Sequence, residues 1–227
     1  MLDKYYNDYW QKRIQDTTKP IPDGLPKFLK KYTSYGAIVN CLSASDKLLD
    51  IGCGDGRVSE LYKEKAAKVY GLDISGQAIS EAKKRGIEAS FQDLNQLPLK
   101  FEDGYFDCVV LTDVVEHVIN PLGLLQEVKR ILKADGQAVV TVPNFARLSN
   151  RLKMLIGDPI DILHWSKYGD EIEHLHWFTW PKLKNLFKDA GFSKLKPIPT
   201  GLKSLSFVFG LVGLYNLGSY LTIKIKK

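Results

Sequence analysis

The sequence predicts an α/β domain in which a mostly parallel sheet carries helices on both faces. From Lys47 onward, strand-like apolar runs alternate with helical stripes, the pattern of strand–helix–strand units. The first of these runs ends in a glycine-rich turn, KLLDIGCGDG. The most apolar run, Phe106–Thr112, reads as a central strand buried on both faces.

The elements follow in order. Lys47–Ile51 is the first strand, and Arg57–Lys65 follows as a helix with Val58, Leu61 and Tyr62 on one face. Lys68–Asp73 is the second strand. Ser75 can cap the next helix, which holds Ala78, Ile79 and Ala82 and ends at Gly86. Glu88–Gln92 is a weak third strand and Phe106–Thr112 the fourth. Asn120 and Pro121 open a helix with a stripe of Leu124, Leu125, Val128, Ile131 and Leu132. Asp135 and Gly136 turn the chain into the fifth strand, Gln137–Val142. Phe145–Ile156 reads as a helix, and residues 157–178 as irregular. Thr179 caps a helix that buries Leu183, Leu186 and Phe187 and ends at Gly191. Phe192–Ile198 and the alternating Tyr220–Lys226 are the sixth and seventh strands.

A length of 227 residues suits one domain with a full core, or one domain with added arms. The three cysteines, Cys41, Cys53 and Cys108, are too scattered for a disulfide framework, so a reducing, cytoplasmic setting is expected. The polar, aromatic N-terminus lacks a signal-peptide core. The apolar stretch Leu205–Leu217 is too short to span a bilayer and is broken by Gly210 and Gly213. The net charge is +6 with lysines spread along the chain. That spread argues against nucleic acid as a partner and leaves an anionic metabolite or membrane surface open.

The turn after the first strand reads Asp50-Ile51-Gly52-Cys53-Gly54-Asp55-Gly56-Arg57. Glycines let the backbone turn tightly and let a ligand approach the main chain. Amides at the start of the next helix are then expected to face a negative group. A dinucleotide fingerprint needs its third glycine where Arg57 stands, and a pyrophosphate would be repelled by Asp50. A ligand with an ammonium or sulfonium fits better. Asp73, at the end of the second strand, can accept two hydrogen bonds from a ribose diol. Asp93 and Leu94, after the third strand, can meet an adenine amino group and ring face.

LLDIGCGDG, YGLDIS, the aspartate of FQDLNQLPL, FDCVVLTDVVEHVINP and EVKRILKADGQAVVTVPN together resemble the class I S-adenosylmethionine-dependent methyltransferases. The likeness is greatest to the small-molecule branch with the ubiquinone-biosynthesis O-methyltransferases. Methyltransferase-like methionine-biosynthesis proteins are also similar. The resemblance implies a Rossmann-like seven-stranded sheet with its last strand antiparallel. It implies a methyltransferase domain over residues 41–227, preceded by a helical arm or lid over 1–40 and carrying a substrate-side cap over 145–178. It implies S-adenosylmethionine as cofactor, with Asp50, Gly52, Cys53 and Gly54 at its methionine part. Asp73 and Ile74 would then hold the ribose, Asp93 and Leu94 the adenine, and Thr112 and Asp113 would line the methionine pocket.

Methyl transfer from a sulfonium needs no metal or protein nucleophile, but a hydroxyl acceptor gains from a base. His117 is the first candidate base and His176 the second. Asp113 and Glu116 fit a capping box at a helix start. His164, His174 and His176 cluster with aromatic residues, which fits a substrate-pocket wall; their spacing does not support a metal site. Basic and apolar residues interleave over residues 145–156. Such a helix can lie on an anionic membrane or cover the active site, and both readings stay open. The leading expectation is a methyltransferase for a small metabolite, sugar precursor or lipid-linked ring, with transfer to oxygen. The alternative is a binding module that keeps the fold and regulates a partner biosynthetic enzyme.

Overall fold

The computed structural model describes residues 2–15, 33–157, 164–165, 171–172, 174–199 and 219–227. In chain order these form α1 (Leu2–Arg13), α2 (Ser34–Cys41), β1 (Ser45–Ile51), α3 (Ser59–Tyr62), β2 (Ala66–Asp73), α4 (Gly76–Lys84), β3 (Glu88–Phe91) and β4 (Phe106–Thr112). They continue with α5 (Pro121–Ile131), β5 (Leu132–Pro143), α6 (Leu148–Leu155), β6 (His164–Trp165), β7 (Glu171–Ile172), α7 (Trp180–Asp189), β8 (Lys194–Ile198) and β9 (Tyr220–Lys226).

Seven strands form one sheet in the order β3-β2-β1-β4-β5-β9-β8. Strands β3 to β5 pair in parallel, and β9 runs antiparallel to both β5 and β8. The sequence expectation of a last, antiparallel strand is therefore met. Chain reversal between β1 and β4 leaves the ends of β1, β2 and β4 around one crevice, where ligands of open α/β sheets bind.

The strand pleat sorts residues between two cores. Leu49, Val109, Ala138 and Val140 face one side with Leu124, Leu125 and Val128 of α5 and Leu183 and Phe187 of α7. Leu48, Cys108, Val110 and Val139 face the other with Ile38 of α2 and Ile79 and Ala82 of α4. Alternation on both faces is what a fully covered parallel sheet requires. Ile38 of α2 is fully buried in the second core, and Tyr9 of α1 is buried as well.

Several boundaries shift for local reasons. The first crossover helix shrinks to Ser59–Tyr62, because Asp55 accepts from the Arg57 amide and Gly56 bonds back to Cys53. Asn144 accepts from the Ala146 amide, so α6 starts at Leu148 rather than Phe145. Asp135 and Gly136 lie inside β5, where its register against β4 slips between Phe106 and Cys108. Thr179 occupies the cap position of α7 but makes no side-chain cap bond. The Pro20–Pro26 and Leu205–Leu217 stretches lie outside the described residues. No helix among the described residues is long and apolar enough to cross a membrane.

Gly56 packs the loop onto α4. Its φ is +78°, and an added Cβ would stand 2.8 Å from Ala82 Cα, a backbone atom that cannot rotate away. The close loop–helix contact that a dinucleotide fold places one residue later is made here. Gly56→Ala should cost about 2–5 kcal/mol, from left-handed backbone strain plus overpacking. A thermal melt should show a loss of several degrees; an unchanged midpoint would contradict this packing.

Candidate active site

The crevice is built from the ends of β1, β2 and β4. Asp73, 8 % exposed, closes β2. Its Oδ2 accepts from the Gly54 amide and its Oδ1 from the Ser75 amide, both at 2.9 Å. A carboxylate offers about four lone-pair sites, so each oxygen keeps one for a ligand. Burial pushes the Asp73 carboxyl above its usual range, against the amide bonds that lower it. Ile74 follows half-buried. The Gln92 amide donates to the Asp73 carbonyl, which sets Asp93 next to this strand end. Asp93 accepts from the Asn95 amide and the Gln96 side chain, while Leu94 packs against the core.

The glycine loop differs from expectation in how it can meet a ligand. The amides of Gly52 and Cys53 both donate to the Leu72 carbonyl, at 2.7 and 3.0 Å, and that of Gly54 goes to Asp73. These amides are spent on shaping the loop, and α3 is too short to supply an amide cradle. At Gly52 (φ +75°) and Gly54 (φ +53°) the space a side chain would take is filled by Val114 and Trp10 respectively. The Cys53 side chain does not face the crevice. Its thiol turns down against Gly71 of β2, in the core, where burial pushes it well above a free cysteine. Asp50 is 3 % exposed and accepts from the Ser59 hydroxyl at 2.6 Å beneath the loop. Burial pushes its carboxyl up to about 7.

After β4 the chain passes through Asp113 at φ +54°, a conformation costing of order 1 kcal/mol or more for a residue with a side chain. The expected capping box is absent: residues 114–120 form turns, and α5 starts only at Pro121, capped by Asn120. Asp113 Oδ1 and both carboxylate oxygens of Glu116 are buried without a hydrogen-bond partner. Orphaned buried acids are costly, and such groups concentrate at functional sites. Burial raises Asp113 to about 7, and burial plus the Asp113 charge raises Glu116.

Residues 175 and 176 are fastened to this turn. The amides of Leu175 and His176 both donate to the Glu116 carbonyl. His176 Nε2 donates to the Val118 carbonyl at 3.0 Å, so its proton on that nitrogen is committed. His174 is the residue that meets His117, with ring centroids 4.8 Å apart. One donor atom each from Glu116, His117 and His174 lie within 4.8 Å of one another, compact enough to hold a metal ion. Sequence spacing concealed this grouping, since His174 lies far along the chain. Only the backbone of His164 is described.

Asp113 gives a pH signature. An acid with a raised folded-state pKa holds its proton more tightly in the fold than in the unfolded chain. That stability is full below the ordinary value of 3.8 and is lost as pH rises through about 7. Ligand-free protein should lose melting temperature across this window, and Asp113→Asn should flatten the slope. An unchanged slope in Asp113→Asn would remove Asp113 as its source.

Helix α1 lies over the loop. The Ser75 hydroxyl and Gln77 amide donate to Asn7 Oδ1, and the Trp10 ring lies over Gly54. Tyr9 is buried, and Arg57 Nη2 donates to the Arg13 carbonyl at 3.2 Å. The sequence suggested an arm or lid in this stretch, but not that Asn7 and Arg13 would make these contacts.

The sequence profile of the methyltransferase-domain family matches residues 7–196. The ubiquinone biosynthesis O-methyltransferase of Haemophilus ducreyi is 32 % identical over 107 residues, covering 43 % of this chain and 45 % of that one. The chain spans less than half the length of the curated relatives it matches. An S-adenosylmethionine-dependent methyltransferase of Thermotoga maritima superposes with TM-score 0.65 at 20 % identity, over 99 % of this chain and 97 % of that one. The magnesium protoporphyrin IX methyltransferase of Synechocystis, solved with S-adenosylhomocysteine bound, superposes with TM-score 0.60 at 17 % identity, over 100 % and 98 %. At these identities the two superpositions establish a shared fold.

Proposed function

Because this chain belongs to the methyltransferase-domain family, in its class I S-adenosylmethionine-dependent form, we propose that it methylates a hydroxyl of a small acceptor. The observation that carries this reading is Asp73, a buried carboxylate fixed by two loop amides with a free lone-pair site on each oxygen. That is the acceptor pair a ribose diol needs. In this reading Gly52 and Gly54, with Ile74, Asp93, Leu94, Thr112 and Asp113, form the wall of the cofactor cleft. Bound S-adenosylmethionine supplies an already activated methyl group as a sulfonium.

The chain's own residues then orient the acceptor and take its proton. His117 is the base in this reading. Glu116, buried and without a hydrogen-bond partner, can stabilise the imidazolium that forms, and His174 completes the wall opposite. His176 positions the cap through Val118. Water exclusion comes from α1 above and the 174–178 segment at the side.

Incubation with isotope-labelled donor and a metabolite extract should yield a labelled small-molecule ether. Absence of label in any product, together with a tight stoichiometric complex with another enzyme, would favour the binding-module alternative.

On α6, Leu152, Met154, Leu155 and Ile156 stand exposed beside Arg151 and Lys153. An apolar face flanked by cations fits an anionic lipid surface and a lipid-linked acceptor. Co-sedimentation with acidic vesicles should exceed that with neutral ones, and Leu155→Asp should reduce it. Equal sedimentation with both vesicle types would speak against a lipid surface.

A further inference from the structure

We infer that the acceptor carries an ammonium group, which Glu116 holds among the rings of Tyr6, Tyr35 and Tyr220. This inference rests on the methyltransferase reading above and adds the acceptor's charge to it. Glu116 is 1 % exposed, and neither of its carboxylate oxygens has a hydrogen-bond partner. Its backbone is fixed, since its carbonyl accepts from the Leu175 and His176 amides. Its carboxylate lies with the His117 and His174 rings, one donor atom of each within 4.8 Å of the others, on the side walled by residues 174–178. Burial comes first among the influences on its charge and the Asp113 carboxylate second, and both are unfavourable. A buried acid so placed is costly until a cation reaches it. His117 stays neutral until it takes the acceptor's proton, so the resting site needs its cation from the ligand. A carboxylate has about four lone-pair sites, enough to serve that ammonium and then the imidazolium.

Three tyrosines from separate parts of the chain converge on the same acids. Tyr6 of α1 precedes Asn7, which is bonded to Ser75 just past the end of β2. Burial pushes the Tyr6 hydroxyl up to about 12, with Tyr5, Asp73, Tyr9 and Glu116 adding to it. Tyr220 opens β9 opposite Pro143, where the Asn144 amide donates to the Ser219 carbonyl. Its hydroxyl is pushed up to about 12 by burial and then by Asp113, Tyr35 and Glu116. Tyr35 of α2 packs against the second core, and burial and then Asp113 raise it too. Each aromatic ring presents a negative face that attracts a cation, and rings beside a buried acid suit an ammonium. An anionic acceptor would be repelled by Asp113 and Glu116, and a neutral one would leave Glu116 without a counter-charge.

The probes are choline and dimethylbutanol, an alcohol of the same shape with carbon in place of the charged nitrogen. Both are titrated by calorimetry into protein saturated with S-adenosylhomocysteine, whose neutral sulfur removes the donor's sulfonium as a source of charge. A chelator keeps metal ions away from Glu116, His117 and His174. Wild-type protein should bind choline at least about tenfold more tightly than the alcohol. Glu116→Gln should bring the two within about threefold of each other, while the melting shift given by S-adenosylhomocysteine stays intact. Tyr220→Leu should lower the preference for choline by about threefold or more. Wild-type protein that binds both probes alike, or neither, overturns the inference without any variant. The labelled product formed from extract gives an independent readout: it should be retained on a cation exchanger at neutral pH. A neutral or anionic labelled ether overturns the inference and leaves the methyltransferase reading standing. If S-adenosylhomocysteine itself does not bind, the methyltransferase reading fails instead.

Discussion

Asp73→Ala should nearly abolish the thermal stabilisation that S-adenosylhomocysteine gives the wild-type protein. A hydrogen bond to a charged group is worth about 1.5–3 kcal/mol, so losing two at the ribose weakens binding by about 100-fold or more. At a ligand concentration a hundred times the wild-type Kd, stabilisation should fall from about 2.7 kcal/mol to about 0.4 kcal/mol. For a chain of this size that is a drop from roughly 5–11 °C of shift to roughly 1–2 °C. Alanine also strips a partner from the Gly54 and Ser75 amides, so the ligand-free variant will itself melt lower. Asp73→Asn separates the effects. It keeps an acceptor for one loop amide and should retain more stability while still losing most of the ligand shift. A full ligand shift in Asp73→Ala would remove Asp73 from the cofactor site.

His117→Ala should lower kcat by about 10²–10⁴, the usual worth of a positioned base, and leave the S-adenosylhomocysteine shift intact. Glu116→Gln should reproduce part of that loss, because an amide cannot take up the negative charge that would stabilise an imidazolium. His174→Ala should do less, since His174 touches the His117 ring without being the base. Activity should survive exhaustive chelation, since the base reading needs no metal. Activity lost to chelation and restored by a divalent ion would reassign Glu116, His117 and His174 to a metal centre. A kcat for His117→Ala within about threefold of wild type would end its candidacy, being far below what a base contributes.

The fold was legible because its signals are local. Short apolar runs such as Lys47–Ile51 and Phe106–Thr112, punctuated by glycine turns, set the strands, and both cores follow from the pleat. Asp73 was legible because a strand end fixes where a side chain emerges. The direction of the Cys53 side chain was not legible, because spacing shows which residues lie in a loop but not which way each turns. Its thiol goes inward because Gly71 leaves the space on β2. Glu116 was read as a cap because serial spacing cannot distinguish a capping box from a turn that buries an acid. The meeting of His174 with His117 joins distant parts of the chain, and no local pattern records such a pairing.

The central claim is that a cationic, sugar-bearing donor sits between the glycine loop and the end of β2. A crystal structure with S-adenosylhomocysteine tests it most directly. The account predicts both ribose hydroxyls within hydrogen-bond distance of the Asp73 carboxylate, with the amino-acid end over Gly52 and Gly54. Density for the ligand elsewhere, or Asp73 turned away from an ordered ribose, would contradict it.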